Sequence, residues 1–346
     1  MIHFPLRDQL SHWMMFLVLG LVLLTATTAS AQTTSVTAAF QTIRTTSIWP
    51  ASGTTFDAVE STFGPRIKAS SGAYDWHRGI DIDALEGTPV VAVQPATLFD
   101  ITTYVDGGLT VILKHTFPTP IAYKGQTLNN YYTFHMHLSA VEAGLLAAFN
   151  LGQRPVVAAG ATIGFLGHSG TAIGDHLHFE LRVGGPYSLE WQLAHPTSQY
   201  AVFGFDPHMH PLLLLNPWAP SATMSLTLTT KPTSKIDGKV LFSVIDDQPL
   251  LNRVEFKIVL KSNNSVVKSH VLDFNERLGF NATSTAALDT QDKTKPYIAP
   301  ISFGTSSTFT TDIIIPKGYV GAASGTKYLT TVTCYDIWGN VTVKSW

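Results

Sequence analysis

Side chains able to hold a divalent ion recur in this chain at spacings of two and four residues: His176-Leu177-His178-Phe179-Glu180, His135-Met136-His137, and His77-Arg78-Gly79-Ile80-Asp81. Imidazole nitrogen together with carboxylate oxygen is the ligand chemistry of a catalytic zinc, in which three protein ligands leave a fourth position for water. Such an ion lowers the pKa of its water to about 7 and so creates a nucleophile without a strong base. The only cysteine, Cys334, cannot build a thiolate-rich structural site, and it also excludes an intrachain disulfide framework. His208 and His210 form a further pair, but Pro207 and Pro211 bracket it, and it reads as packing or surface.

These side chains have to be carried by strands. Apolar and polar residues alternate through Gly174 to Leu181, so His176, His178 and Glu180 share one face of a half-buried strand. Ile80 and Ile82 alternate with Asp81 and Asp83 in the same way, and His77 lies four residues before Asp81, a spacing that either an extended or a helical chain could place on one side. Tyr131 to Leu138 is another alternating run, which puts His135 and His137 on a common face. Asp106-Gly107-Gly108 is a hairpin signal between strands over Leu98–Thr103 and Leu109–Leu113. Ser139 and Glu142 have capping-box spacing and predict a short helix from about Ala140 to Phe149; strands resume at Val156-Val157 and Thr162–Leu166.

The N-terminus has the pattern of an export signal: Arg7 in a polar head, an apolar run from Trp13 to Leu24, and Ala29-Ser30-Ala31 as a small-x-small cleavage site. Residues 1–31 are therefore expected to be removed, placing the rest in the periplasm, cell envelope or exterior with no membrane span after cleavage. Residues 32–55, rich in Thr, Ser and Ala, read as a linker or lead-in of extended character. A second Thr- and Ser-rich change of texture at Ser221 to Ser234 sets a boundary near Pro220. Beyond it, β-branched runs at Val240–Ile245, Arg253–Leu260, Val266–Leu272, Thr310–Ile315 and Tyr328–Tyr335 have the spacing of an antiparallel sandwich of immunoglobulin-like architecture, here residues 221–346. Net charge is -2 and only 13 % of residues are charged, so there is no electrostatic footprint for nucleic acid.

Seven short segments, in this order, resemble the lysostaphin-type zinc metalloendopeptidases that cut peptide bonds in bacterial peptidoglycan. They are Phe63-Gly64-Pro65-Arg66, His77-Arg78-Gly79-Ile80-Asp81-Ile82, Gly87-Thr88-Pro89-Val90, Val111 to His115, His137-Leu138-Ser139, Ile163 to Gly167, and His176-Leu177-His178-Phe179-Glu180. The resemblance covers roughly Phe56 to Trp218 and implies a mainly β chain, with a lysostaphin-like antiparallel sheet peptidase domain over 56–220 ahead of the sandwich. Carried over by position, it implies that His77, Asp81 and His178 hold Zn2+, while His137 and His176 line the reaction side as base and oxyanion donor, in an order the spacing does not assign. His135 rivals His137, and the following Leu138-Ser139 favours His137.

Glu180 is either a support that holds an imidazole in its tautomer or merely a strand residue. His115 reads as structural, His168 as a residue of the loop before the site with the edge of a substrate groove as its alternative, Asp83 as solvated, and Arg66 as a prop for the groove wall with a substrate carboxylate contact as its alternative. Relative to the family, Phe117–Asn130 makes a longer loop, Ser139–Leu151 adds the helix, and Asp175 stands where proline is frequent. The implied substrate is peptidoglycan peptide, with a cell-wall or protein partner for the C-terminal domain. The competing reading is a non-catalytic wall-binding or regulatory protein of the same fold, in which loss of ligand residues is expected; this chain retains all five site residues.

Overall fold

The structure is a computed structural model that describes residues 34–67, 74–199, 205–215, 223–245, 251–276, 293–299, 308–320, 326–337 and 339–346. The export signal expected over 1–31 and the boundary near Pro220 lie outside the described residues. Among those described, no helix is long and apolar enough to cross a membrane.

The N-terminal part runs β1 (Thr34–Ser35), α1 (Val36–Ile43), β2 (Val59–Ser61), β3 (Gly64–Ile67), β4 (Tyr74–His77), β5 (Ile80–Asp83), β6 (Pro89–Val91), β7 (Ala96–Tyr104) and β8 (Gly108–Tyr123). It continues through β9 (Gln126–Leu138), β10 (Ala140–Val141), α2 (Ala143–Asn150), β11 (Val156–Val157), β12 (Thr162–Phe165), β13 (His176–Val183), α3 (Leu189–Ala194) and β14 (His208–Met209). The main sheet has the order β11-β7-β8-β9-β13-β5-β2, with β1 added to β8 and β14 to β13; β10-β12-β6 forms a small second sheet and β3-β4 a separate hairpin. The central strands β8, β9 and β13 bury Val111, Leu113, Leu177, Phe179, Leu181 and Val183 on the core side. Ile112, Tyr132, Phe134 and Met136 form an apolar layer on the other side.

Three local expectations are corrected. Residues 34–55 are not an extended spacer. Ser35 caps α1 by accepting from the Ala38 N–H at 3.3 Å, and Phe40, one turn on, is fully buried with its ring edge-on to Phe117 (5.4 Å) and Tyr131 (5.3 Å). The Thr and Ser content hid a helix whose stability comes from one packed face. Phe117–Asn130 is not a loop but the far end of the β8–β9 hairpin, closed by Lys124 (φ 47°) and Gly125 (φ 77°). Those two left-handed residues suit a two-residue type I′ turn. Pro118 and Pro120, which have no N–H to donate, fall in the bulge where the register skips from Thr116 to Ile121. The helix after Ser139 starts later than the capping box predicts: Glu142 itself is the N-cap, accepting from Gly144 and Leu145 N–H at 2.9 and 2.7 Å. Ser139 instead donates to the Leu166 carbonyl at 2.9 Å.

The C-terminal part comprises β15 (Thr223–Thr230), β16 (Gly238–Ile245), β17 (Leu251–Leu260), β18 (Val266–Asp273), β19 (Tyr297–Ile298), β20 (Thr308–Ile315), β21 (Tyr328–Asp336) and β22 (Val341–Ser345). These form two antiparallel sheets, β15-β16-β20-β19 and β18-β17-β21-β22, whose facing residues share one core around Phe242, Val254, Phe256, Ile313 and Val332. The Thr-rich stretch after Ser221 contains strand β15, with Leu226 buried and Thr227 and Thr229 exposed. Phe63 and Trp76 from the N-terminal part belong to this C-terminal core, and Ile337 belongs to the N-terminal one.

Candidate metal centre

Strand pairing brings the ligand-type side chains together. In the antiparallel β5–β13 pair, Asp81 lies directly opposite His178 and Asp83 opposite His176. His77 ends β4, and the chain turns through Arg78-Gly79 into β5, so its ring folds over the same spot. That turn needs glycine: a Cβ at Gly79 would lie 2.4 Å from the Phe179 carbonyl oxygen and 2.8 Å from His178 Nε2. The three candidate ligand atoms form a small triangle. His77 Nε2 is 3.2 Å from Asp81 Oδ1, His178 Nδ1 is 2.9 Å from the same oxygen, and the two nitrogens are 3.0 Å apart. Ligands at 2.0–2.1 Å around a tetrahedral zinc sit about 3.3 Å from one another, so this donor set fits the ion with little adjustment.

Each ligand is braced from behind. His77 Nδ1 donates to the Thr62 carbonyl at 2.8 Å, with Ser61 Oγ at 3.2 Å, which leaves the Nε2 lone pair facing the triangle. His178 Nε2 donates to Glu180 Oε1 at 3.1 Å, which points Nδ1 inward. Glu180 is thus the support rather than a bystander; its other oxygen is held by Arg182 at 2.7 Å and lies 3.3 Å from His208 Nε2. His208 in turn pairs with Asp206. Arg66 donates to Asp81 Oδ2 at 2.9 Å, Asp75 at 3.0 Å and Ser61 Oγ at 2.8 Å, so it anchors the carboxylate of a candidate ligand. Supports of this kind fix tautomer and ring orientation in metal sites.

The electrostatics follow. Burial, reinforced by the nearby Arg66 charge against a counter-pull from Asp81, lowers His77 to about 4. Burial would raise the Asp81 carboxyl, but His77 and His178 outweigh it and hold it well below the usual carboxylate range. Glu180 is likewise held low against its burial, chiefly by Arg182 and His208. Burial also opposes charge on His178, yet hydrogen bonds to Asp81 and Glu180 prevail and raise it to about 9. Without an ion, the triangle therefore carries one proton, on the imidazole between two carboxylates.

His137 and His176 flank the triangle. Simple alternation would put His137 on the His135 face, away from the ligands, because His135 pairs with Phe179 whereas Met136 pairs with His178. A bulge changes this. Leu109 pairs with Leu138 and Val111 with His135, so Met136 and His137 together oppose Thr110. His137 takes a left-handed φ of 62°, unusual for a non-glycine residue, and its ring swings to the ligand side, 4.8 Å from the His176 ring and 5.9 Å from that of His178. Its Nδ1 donates to the Ser169 carbonyl at 2.8 Å, and burial with the neighbouring His178 charge lowers it to about 4. His176 Nε2 is 3.7 Å from Asp81 Oδ1, and its Nδ1 is 3.3 Å from the Gly174 carbonyl.

The remaining histidines take other places. His135 does not share a face with His137; it is fully buried, donating to the Val111 carbonyl at 3.3 Å beside Phe179. His115 bridges the Pro95 carbonyl and Thr133 Oγ1 and stacks on Tyr131. His208 and His210 are both buried: His208 lies between Asp206 and Glu180, and His210 is 3.3 Å from Thr62 Oγ1. His168 is exposed and pairs with Asp175 at 2.7 Å, and Asp83 is exposed as well. The carbonyls of Thr62 and Ser169, and Asp75, went unread in the sequence: a backbone acceptor has no signature, and Asp75 is one carboxylate among many.

A mainly β scaffold brings two histidines and an aspartate to one point, each fixed from behind, and so forms a candidate metal site. Residues 75–188 match the model of Peptidase family M23. It is 29 % identical over 144 residues to the DD-carboxypeptidase/endopeptidase Mpg of Neisseria meningitidis, covering 42 % of this chain and 29 % of that protein. It is 31 % identical over 131 residues to the peptidoglycan DD-endopeptidase ShyC of Vibrio cholerae, covering 38 % and 26 %. The chain thus spans less than a third of the length of these relatives. Similar solved structures include a zinc-containing peptidase from Vibrio cholerae (23 % identity, TM-score 0.28, covering 36 % of this chain and 33 % of that one). The lysostaphin catalytic domain from Staphylococcus simulans is another (22 %, TM-score 0.28, covering 44 % and 86 %).

Proposed function

We propose that this chain is an exported zinc metalloendopeptidase that hydrolyses peptide bonds in peptidoglycan stem peptides or cross-bridges. The observation that carries the reading is the His77–Asp81–His178 triangle, with edges of 2.9–3.2 Å and with the outer nitrogen of each imidazole held by an oxygen acceptor behind it. A zinc ion held there supplies Lewis acidity to a carbonyl oxygen and to water. The chain's own residues do the rest. His137 and His176 present imidazoles whose Nδ1 atoms are turned to backbone carbonyls, leaving Nε2 for chemistry. One Nε2 takes a proton from the attacking water as the new C–O bond forms, and the other faces the developing oxyanion. The proton then passes to the departing amine as the C–N bond breaks.

The name of ShyC supports peptidoglycan as the substrate class. The N-terminal pattern from Arg7 to Ala31 supports export. The C-terminal sheets are inferred to form an immunoglobulin-like sandwich: their orders, β15-β16-β20-β19 and β18-β17-β21-β22, agree with the ABED and C′CFG arrangement of that architecture. Purified zinc-loaded protein incubated with cell-wall sacculi is expected to release muropeptides, and His178→Ala is expected to release none. Equal release by the two proteins would overturn the reading.

A further inference from the structure

The hairpin β3–β4, which delivers His77, is packed on its far side by the C-terminal sheets. In the β3–β4 register Gly64 pairs with His77 and Pro65 with Trp76. Phe274, in the turn after β18, meets both. Its ring stands edge-on to Trp76 at 5.5 Å, and a Cβ on Gly64 would come within 3.1 Å of it. Gly64 also has a left-handed φ of 113°, so neither its space nor its backbone accommodates another residue easily. Phe63 completes the stack, 6.0 Å from Trp76 and 5.5 Å from His210, and Phe63, Trp76 and Phe274 are all at most 2 % exposed. The same turn, Phe274–Glu276, lies against β14, whose His208 is next to Glu180 behind His178. One C-terminal turn therefore backs the supports of both histidine ligands.

We infer that Phe274 is a positioning residue for the metal centre, and that the C-terminal sheets are part of that centre rather than an independent appendage. Tight packing leaves the hairpin one position while Phe274 is in place. Removing the ring opens a void into which Trp76 and Gly64 can move, and His77 moves with them. This rests on the assignment of His77, Asp81 and His178 as the metal ligands.

The test uses the full chain and reads metal binding rather than turnover. Zinc dissociation constants from chelator competition, and the ligand-field spectrum of the cobalt-substituted protein, are compared for wild type, Phe274→Ala, Phe274→Leu and Phe242→Ala. Phe242 is fully buried in the same C-terminal core but has no ring contact with Phe63, Trp76 or Phe274 among those observed, so it controls for loss of stability alone. Phe274→Ala is expected to weaken zinc binding by 10- to 100-fold, the range typical of supports behind metal ligands. It should also change the cobalt spectrum, with Phe274→Leu recovering most of the affinity and Phe242→Ala matching wild type. Unchanged binding in Phe274→Ala, or equal weakening in Phe242→Ala, overturns the inference. If Phe274→Ala does not fold, the cobalt spectrum of Phe274→Leu decides, a shift supporting the inference and identity with wild type overturning it. Failure of wild type to bind zinc would instead overturn the assignment of the ligands.

Discussion

Metal uptake by this site should be coupled to the loss of one proton, and Glu180 should set how strongly. In the metal-free triangle His178 donates from both ring nitrogens, to Asp81 at 2.9 Å and to Glu180 at 3.1 Å. That placement raises it to about 9. Against an ordinary value near 6.5, the folded protein favours the proton by roughly 3 kcal/mol. A zinc ion must displace it from Nδ1. His77, lowered to about 4, holds no proton to lose near neutrality. The apparent zinc affinity should therefore rise about tenfold between about pH 6 and pH 7, with one proton released per ion. Calorimetric titration in buffers of different ionisation enthalpy counts that proton directly. Glu180→Gln removes one of the two carboxylates, so it should flatten the pH dependence while weakening affinity about 10- to 100-fold overall. No proton release by wild type in this range, or a steeper dependence in Glu180→Gln, would refute the reasoning. The same proton stabilises the metal-free fold. Because the folded-state value is raised, that contribution is full below about pH 6.5 and is lost as pH rises through about 9.

Other consequences are more local. His137→Ala should keep zinc content at the wild-type level while losing turnover by about 10²–10⁴-fold, the usual contribution of a positioned acid–base group; loss of metal in that variant would contradict the division of roles. Arg66→Met removes the brace on Asp81 Oδ2 at 2.9 Å and should weaken zinc binding by about 10- to 100-fold, measured by chelator competition. Phe40→Ala should destabilise the protein by about 3–5 kcal/mol in denaturant unfolding, because it empties a fully buried position between Phe117 and Tyr131. An effect of a few tenths would mean that α1 is only loosely attached.

Much of the architecture is written in short-range patterns, because a strand with one buried face must alternate and a hairpin turn must use permissive residues. His176, His178 and Glu180 on one face, Asp81 between Ile80 and Ile82, and the Asp106-Gly107-Gly108 hairpin are all consequences of that local rule. The C-terminal strands from Val240 onward were legible for the same reason, whereas β15 and α1 were not. Their Thr and Ser content imitates a linker, and only the burial of Leu226 and of Phe40 distinguishes them. The capping box failed at Ser139 because its hydroxyl is turned toward the Leu166 carbonyl just past β12, and Glu142 caps the helix in its place.

What the residues alone determined is the inventory and the local geometry: which imidazoles and carboxylates exist, and which of them share a strand face. Only the tertiary structure decided which of them meet. It set Asp81 opposite His178 through the β5–β13 register, turned His137 away from the His135 face through a bulge, and placed Phe274 behind the hairpin of His77. Register, bulges and contacts between distant segments depend on pairing and packing energies summed over many residues, and no window of a few positions contains that sum.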